Sequence, residues 1–140
     1  MADFSIALAK VLRREGGYVN DLNDKGGETY KGISRRAYPK SNLWTIVDRY
    51  KQECGGVTTK FKQKLAKDEE ITNIINTIYK KNYWNVFKLD LVLNQKLAEQ
   101  IFDDAVNRGT GAACKLLCGM LHLPISSKPS DKLLQLLKTY

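Results

Sequence analysis

The strongest constraint in this chain lies in its first 34 residues, where a helical stripe runs into a segment that cannot continue it. Phe4, Ala7, Leu8, Val11 and Leu12 recur at three- and four-residue spacing, which predicts a helix with one apolar face over residues 3 to about 14. The next stretch, EGGYVNDLNDKGGETYKGIS at residues 15–34, holds five of the ten glycines together with Asn20, Asp21, Asn23 and Asp24. Glycine enters the left-handed backbone region without steric cost, so Gly16-Gly17 ends the helix. Tyr18, Val19, Tyr30 and Ile33 flank the turn-forming residues, and the spacing predicts a small irregular β-hairpin over residues 18–33.

Downstream the pattern is helical again. A short helix is expected around Leu43 to Tyr50, then a break at Cys54-Gly55-Gly56 and a basic stretch from Thr58. Ile71, Ile74, Ile75, Ile78 and Tyr79 mark a longer helix ending near Trp84. Leu97, Ile101, Phe102, Ala105 and Val106 mark another, which Gly109 or Gly111 terminates. Two more are expected over residues 111–122, before Pro124, and around Leu133 to Leu137. No internal repeat or long linker interrupts the 140 residues, so one domain over residues 1–140 is expected. Within it, residues 1 to about 88 carry the motifs and residues from about 89 to 140 form a helical C-terminal part. The fold class expected is mainly α (α+β), with one small β-hairpin beside a groove.

Lys and Arg outnumber Asp and Glu by 23 to 15, for a net charge of +8. Such a surface attracts polyanions, of which nucleic acids and bacterial cell walls are candidates. The basic residues are scattered rather than gathered in an arm. The three cysteines, Cys54, Cys114 and Cys118, form no C-x-x-C pair, so neither a disulfide framework nor a structural zinc site is expected. Cys114, Cys118 and His122 recur at i, i+4 and i+8, which would gather soft ligands on one helical face. Leu117 and Leu121 share that region, and the face reads as core. No metal and no cofactor is expected. The N-terminus lacks a basic, apolar and small-residue leader pattern, so synthesis in the cytoplasm without a signal peptide is expected, and no run suggests membrane insertion.

Glu15 stands where the apolar stripe meets the glycines, with a second carboxylate at Asp24 and a hydroxyl at Thr29. Cleavage of a glycosidic bond needs an acid to protonate the leaving oxygen and a second carboxylate to activate water or stabilise the oxocarbenium-like transition state. The helix C-terminus disfavours negative charge, which suits Glu15 to the acid role. Asp24, in a polar turn, suits the ionised role, and Thr29 is placed to orient a water. Tyr18, Asn20, Tyr30, Asn107 and Arg108 are candidates for lining a saccharide groove, with Tyr83 and Trp84 behind them. Trp84 is expected to be mostly buried. Asp103 and Asp104 diverge around a helix and cannot face each other as a dyad.

The segment at residues 15–34 resembles the N-terminal signature of the bacterial and phage N-acetylmuramidases of glycoside hydrolase family 108. YWNVFKLDLVLNQKLAEQIFDDAVNRG, from Tyr83 to Gly109, resembles a second pattern of the same family. Lys25 stands where that family often has Pro, and Ser34 where it often has Thr. The resemblance implies a lysozyme-like fold, Glu15 as catalytic acid, and Asp24 and Thr29 as its partners. It further implies a monomeric peptidoglycan hydrolase cutting the β-1,4 bond between N-acetylmuramic acid and N-acetylglucosamine, and a C-terminal part akin to a peptidoglycan-binding segment. Such an enzyme would reach the wall in the periplasm or outside the cell through a holin or a secretion system, with no obligate nucleic-acid partner. Two alternatives stay open: a non-catalytic basic protein binding wall polymer or nucleic acid, and a chitin-type glycosidase.

Overall fold

A computed structural model describes residues 1–23 and 27–140. Helix α1 spans Phe4–Glu15. Asp3 caps its start, its Oδ1 accepting from the backbone N–H of Ser5 at 2.8 Å, and Ala7, Leu8 and Val11 are buried. Gly16 follows at φ +79°, and its N–H donates to the Leu12 carbonyl at 3.2 Å. The helix therefore ends where the glycines begin, with Glu15 as its last residue.

The expected hairpin is a three-stranded antiparallel sheet in the order β1 (Tyr18–Asn20), β2 (Glu28–Tyr30), β3 (Ile33–Ser34). Its register pairs Tyr18 with Tyr30, Val19 with Thr29 and Asn20 with Glu28, then Thr29 with Ser34 and Tyr30 with Ile33. The third strand arises from the two residues between Tyr30 and Ile33. Lys31 and Gly32 have φ of 48° and 82°, the pair of positive angles that a type I′ turn needs to fold a strand straight back. Such a turn carries Asn-Gly more often than Lys-Gly, so the spacing predicts a hairpin through Ile33 without marking a separate third strand.

Helix α2 spans Asn42–Glu53, capped by the Ser41 side chain, and buries Leu43, Trp44, Ile46 and Val47. The basic stretch after the Cys54-Gly55-Gly56 break is helix α3, Thr59–Lys67, with Thr58 as its cap and Phe61 and Leu65 buried. Asp68 caps α4, Glu69–Tyr79, accepting from the Ile71 N–H at 2.8 Å. The chain then passes through a π-helical turn, Lys80–Trp84, and two 3₁₀ turns, Asn85–Phe87 and Leu89–Leu91. Helices α5 (Gln95–Arg108), α6 (Thr110–Met120) and α7 (Asp131–Thr139) complete it. None of the helices is long and apolar enough among the described residues to cross a membrane.

The chain gathers into two compact units. One, Leu12–Thr77, contains the end of α1, the sheet, α2, α3 and most of α4. Its core is built from Tyr30, Ile33, Leu43, Trp44, Ile46, Val47, Phe61, Leu65, Ile71 and Ile75. The other joins Met1–Val11 to Ile78–Tyr140. There Phe4, Trp84 and Phe102 meet edge to face, with ring centroids 5.4 to 5.8 Å apart. Such tilted aromatic contacts contribute beyond their buried area. Cys114 and Cys118 are buried free thiols of this second core; burial, with the neighbouring Cys118, pushes the Cys114 thiol up to about 11. His122 does not share their helical face. Helix α6 ends at Met120, and His122 lies beyond it at φ 55°, exposed. Among the described residues no group of three or more His, Cys, Asp or Glu could hold a metal ion.

Candidate active site

Glu15 closes α1 at the edge of the glycine-rich segment. Its side chain is 26% exposed, and its Oε1 accepts from Arg14 Nη2 at 3.1 Å. The apolar stripe does not enclose it. A Cβ at Gly16 or Gly17 would meet nothing within 4 Å, so the backbone beyond the carboxylate is bare and uncrowded on that side. Asp24 lies outside the described residues.

Cross-strand partners in an antiparallel sheet share a face, and residues two apart along a strand do as well. The register therefore puts Tyr18, Asn20, Glu28, Tyr30 and Ile33 on one face and Val19, Thr29 and Ser34 on the other. This separates candidates that the sequence grouped together. Tyr30 is 4% exposed, its ring turned into the core, which leaves little of it to touch a ligand; burial raises its hydroxyl pKa above the usual tyrosine value. The Tyr18 ring stands edge-on against Phe61 at 5.1 Å, and its hydroxyl donates to Glu28 Oε2. Tyr18 thus anchors the sheet from the packed side. Asn20 is exposed at the end of β1. Thr29 is half-buried on the opposite face, paired with Val19, which is 47% exposed.

The packed face carries a carboxylate that sequence reasoning passed over. Glu28 has a side chain only 10% exposed, and it accepts from Arg35 Nη1 at 2.8 Å and Lys51 Nζ at 2.7 Å as well as from Tyr18. Arg35 reaches on to Asp48 of α2, with its two terminal nitrogens 2.8 and 2.7 Å from the two carboxylate oxygens. Burial alone would raise the Glu28 pKa, but the hydrogen bonds from Lys51, Tyr18 and Arg35 outweigh it and bring the value from 4.5 down to about 2. Hydrogen bonds to Asp48 and Glu28 raise Arg35 above its ordinary value. Lys51 is raised too, since contacts to Glu28 and Tyr18 overcome the desolvation that would lower it. The sequence signal for this network was present. Glu28 lies two residues before Tyr30, so it takes the same inward face once Tyr30 is read as core.

This carboxylate has a consequence for acid stability. A folded pKa below the unfolded one adds stability above the unfolded pKa, and that stability is lost as pH falls through the folded value. Thermal melts from pH 7 to pH 2 are expected to show the wild-type midpoint dropping between about pH 4.5 and about pH 2. Glu28→Gln should start from a lower midpoint at pH 7 and lose less over that interval. Parallel curves for the two proteins would remove Glu28 as the cause.

In the other unit, Asn107 is exposed near the end of α5, its Nδ2 donating to Asp103 Oδ2 at 3.3 Å. Arg108, with a side chain 60% exposed, pairs with Asp104 one turn back at 4.0 Å. Tyr83 is half-buried, its ring 5.7 Å from that of Tyr79. Trp84 is fully buried, its indole N–H donating to Asp90 Oδ1 at 2.7 Å.

The model of the glycosyl hydrolase 108 family matches residues 8–109, a span that takes in Glu15, Thr29 and the sheet. The structure of Brucella abortus SagA is similar, with a TM-score of 0.66 and 25% sequence identity, over 98% of this chain and 69% of that one. No match is found among curated proteins.

Proposed function

Because the chain belongs to the glycosyl hydrolase 108 family, we propose that it is a peptidoglycan hydrolase of the lysozyme type, with Glu15 as its general acid. The observation that carries the assignment to Glu15 is the state of the other glutamate in the glycine-rich segment. Glu28 has a side chain only 10% exposed and accepts from Tyr18, Arg35 and Lys51, so its oxygens are taken up within the fold. Glu15 instead stands at a helix end, partly open, beside backbone that carries no side chains. A saccharide approaching over Gly16 and Gly17 brings its glycosidic oxygen to that carboxyl, which protonates the leaving oxygen as the bond breaks.

Asp24 and Thr29 take their roles from the family motif: Asp24 as the ionised partner and Thr29 as the hydroxyl that orients water. Thr29 on the sheet face away from Tyr18, Glu28 and Tyr30 supports its role, because that face is not taken up by the ion network. The positive net charge of +8 favours approach to an anionic wall. The bond cut is that between N-acetylmuramic acid and N-acetylglucosamine, reached through a holin or a secretion system. Product analysis tests this directly. Purified peptidoglycan incubated with the chain is expected to gain new reducing ends bearing N-acetylmuramic acid; ends on N-acetylglucosamine, or none at all, would refute the proposed specificity.

A further inference from the structure

A cluster of charge in the unit Leu12–Thr77 plays no part in the reaction described above. Lys60, Lys64 and Lys67 stand at i, i+4 and i+7 on α3. They form one stripe, about 10 Å long along the helix axis. With Gln63, Tyr50 of α2 and Asp68 they line a cleft of about 350 Å³. Two of its charges are already engaged. Lys64 lies 3.3 Å from Glu53 Oε2, and Asp68 accepts from the Tyr50 hydroxyl at 2.5 Å. Lys60 and Lys67 are exposed and form no ion pair among the described residues.

Two uncompensated ammonium groups on a concave surface favour an anionic ligand. Asp68 and Glu53 beside them repel a dense polyphosphate, while carboxylates spaced along a chain can meet Lys60 and Lys67 and avoid the acids. Gln63 offers an amide for hydrogen bonds to further amides. Spaced carboxylates on an amide backbone are the chemistry of the acidic stem peptide of peptidoglycan. We propose that the α3 lysine cleft docks that stem peptide and holds the wall polymer against the protein. This rests on peptidoglycan being the substrate.

The test compares the full chain carrying Glu15→Gln with and without Lys60→Glu and Lys67→Glu, in co-sedimentation with purified sacculi at rising salt. Loss of the two contacts is expected to weaken binding about tenfold and to flatten its salt dependence. On glycan stripped of stem peptides by an amidase, the parent is expected to bind as weakly as the double variant. Equal affinity of the two proteins for intact sacculi overturns the proposal, as does undiminished binding of the parent to stripped glycan. A loss seen with duplex DNA but not with sacculi overturns it too. Should charge reversal unfold the chain, Lys60→Gln with Lys67→Gln makes the same comparison, and equal affinity again refutes it. Reducing-end release by the unsubstituted chain on the same sacculi reports separately on the hydrolase reading, so the two failures are told apart.

Discussion

Glu15→Gln is expected to slow reducing-end release from purified peptidoglycan by about 10²- to 10⁴-fold, the span that a positioned general acid contributes. The amide keeps the size and hydrogen-bonding reach of the side chain but carries no acidic proton. Its cost to folding should be small, since the side chain is 26% exposed and its contact is to Arg14, itself 42% exposed. Surface pairs of this kind contribute about 0–1 kcal/mol. Rate and fold are therefore separable in one experiment: product release should collapse while the circular dichroism spectrum and melting midpoint stay near the parent's. A Glu15→Gln chain that still releases ends at near the parental rate would move the acid to another residue. Glu28 is a poor substitute, because at neutral pH its carboxylate is already committed to three donors.

Trp84→Ala is expected to cost about 3–5 kcal/mol, the range for removing a large aromatic from a packed core. Trp84 is 0% exposed and makes tilted contacts with Phe4 at 5.4 Å and Phe102 at 5.5 Å. Truncation also frees Asp90 Oδ1 from the indole N–H. Asp90 has a side chain 52% exposed and a lysine 3.7 Å away, so water and Lys80 satisfy it and the main loss is packing. Against a total stability of about 5–15 kcal/mol for a domain of ordinary size, that is a large fraction. Urea titration followed by far-UV circular dichroism measures it, with Trp84→Phe as the partner variant that keeps an aromatic ring and should lose much less. An unchanged midpoint for Trp84→Ala would contradict the central place given to this side chain.

The elements legible in the sequence are those whose cause is local. Phe4, Ala7, Leu8 and Val11 fix the buried face of α1 by spacing alone, and Gly16 ends it through its own backbone freedom. The family was legible for a similar reason: the motif at residues 15–34 is contiguous, and the family model that matches residues 8–109 includes it. What escaped depends on partners distant in sequence or on unusual backbone. Strand β3 is two residues long and exists because Lys31 accepts a positive φ. The π-helical turn at Lys80–Trp84 continues an apolar pattern without a break that spacing could reveal. Tyr30 read as a ligand contact because aromatic residues suit sugars, but its exposure is set by the sheet face it occupies, which needs the register with Tyr18 and Ile33. Glu28 was passed over because Lys51 lies 23 residues further on, on another element.

The way Glu28 is held also shapes how this segment tolerates change. Three separate donors converge on one carboxylate, from β1, from α2 and from the turn after β3. A change at Tyr18, Lys51 or Arg35 taken singly leaves Glu28 with two hydrogen bonds in place, although Arg35 also holds Asp48 and Tyr18 also packs on Phe61. The acceptor has no such redundancy: replacing Glu28 leaves a lysine and an arginine facing each other across the space it occupied. The carboxylate is buffered against the loss of any one donor, whereas the donors share a single acceptor, so a change at position 28 undoes three contacts at once.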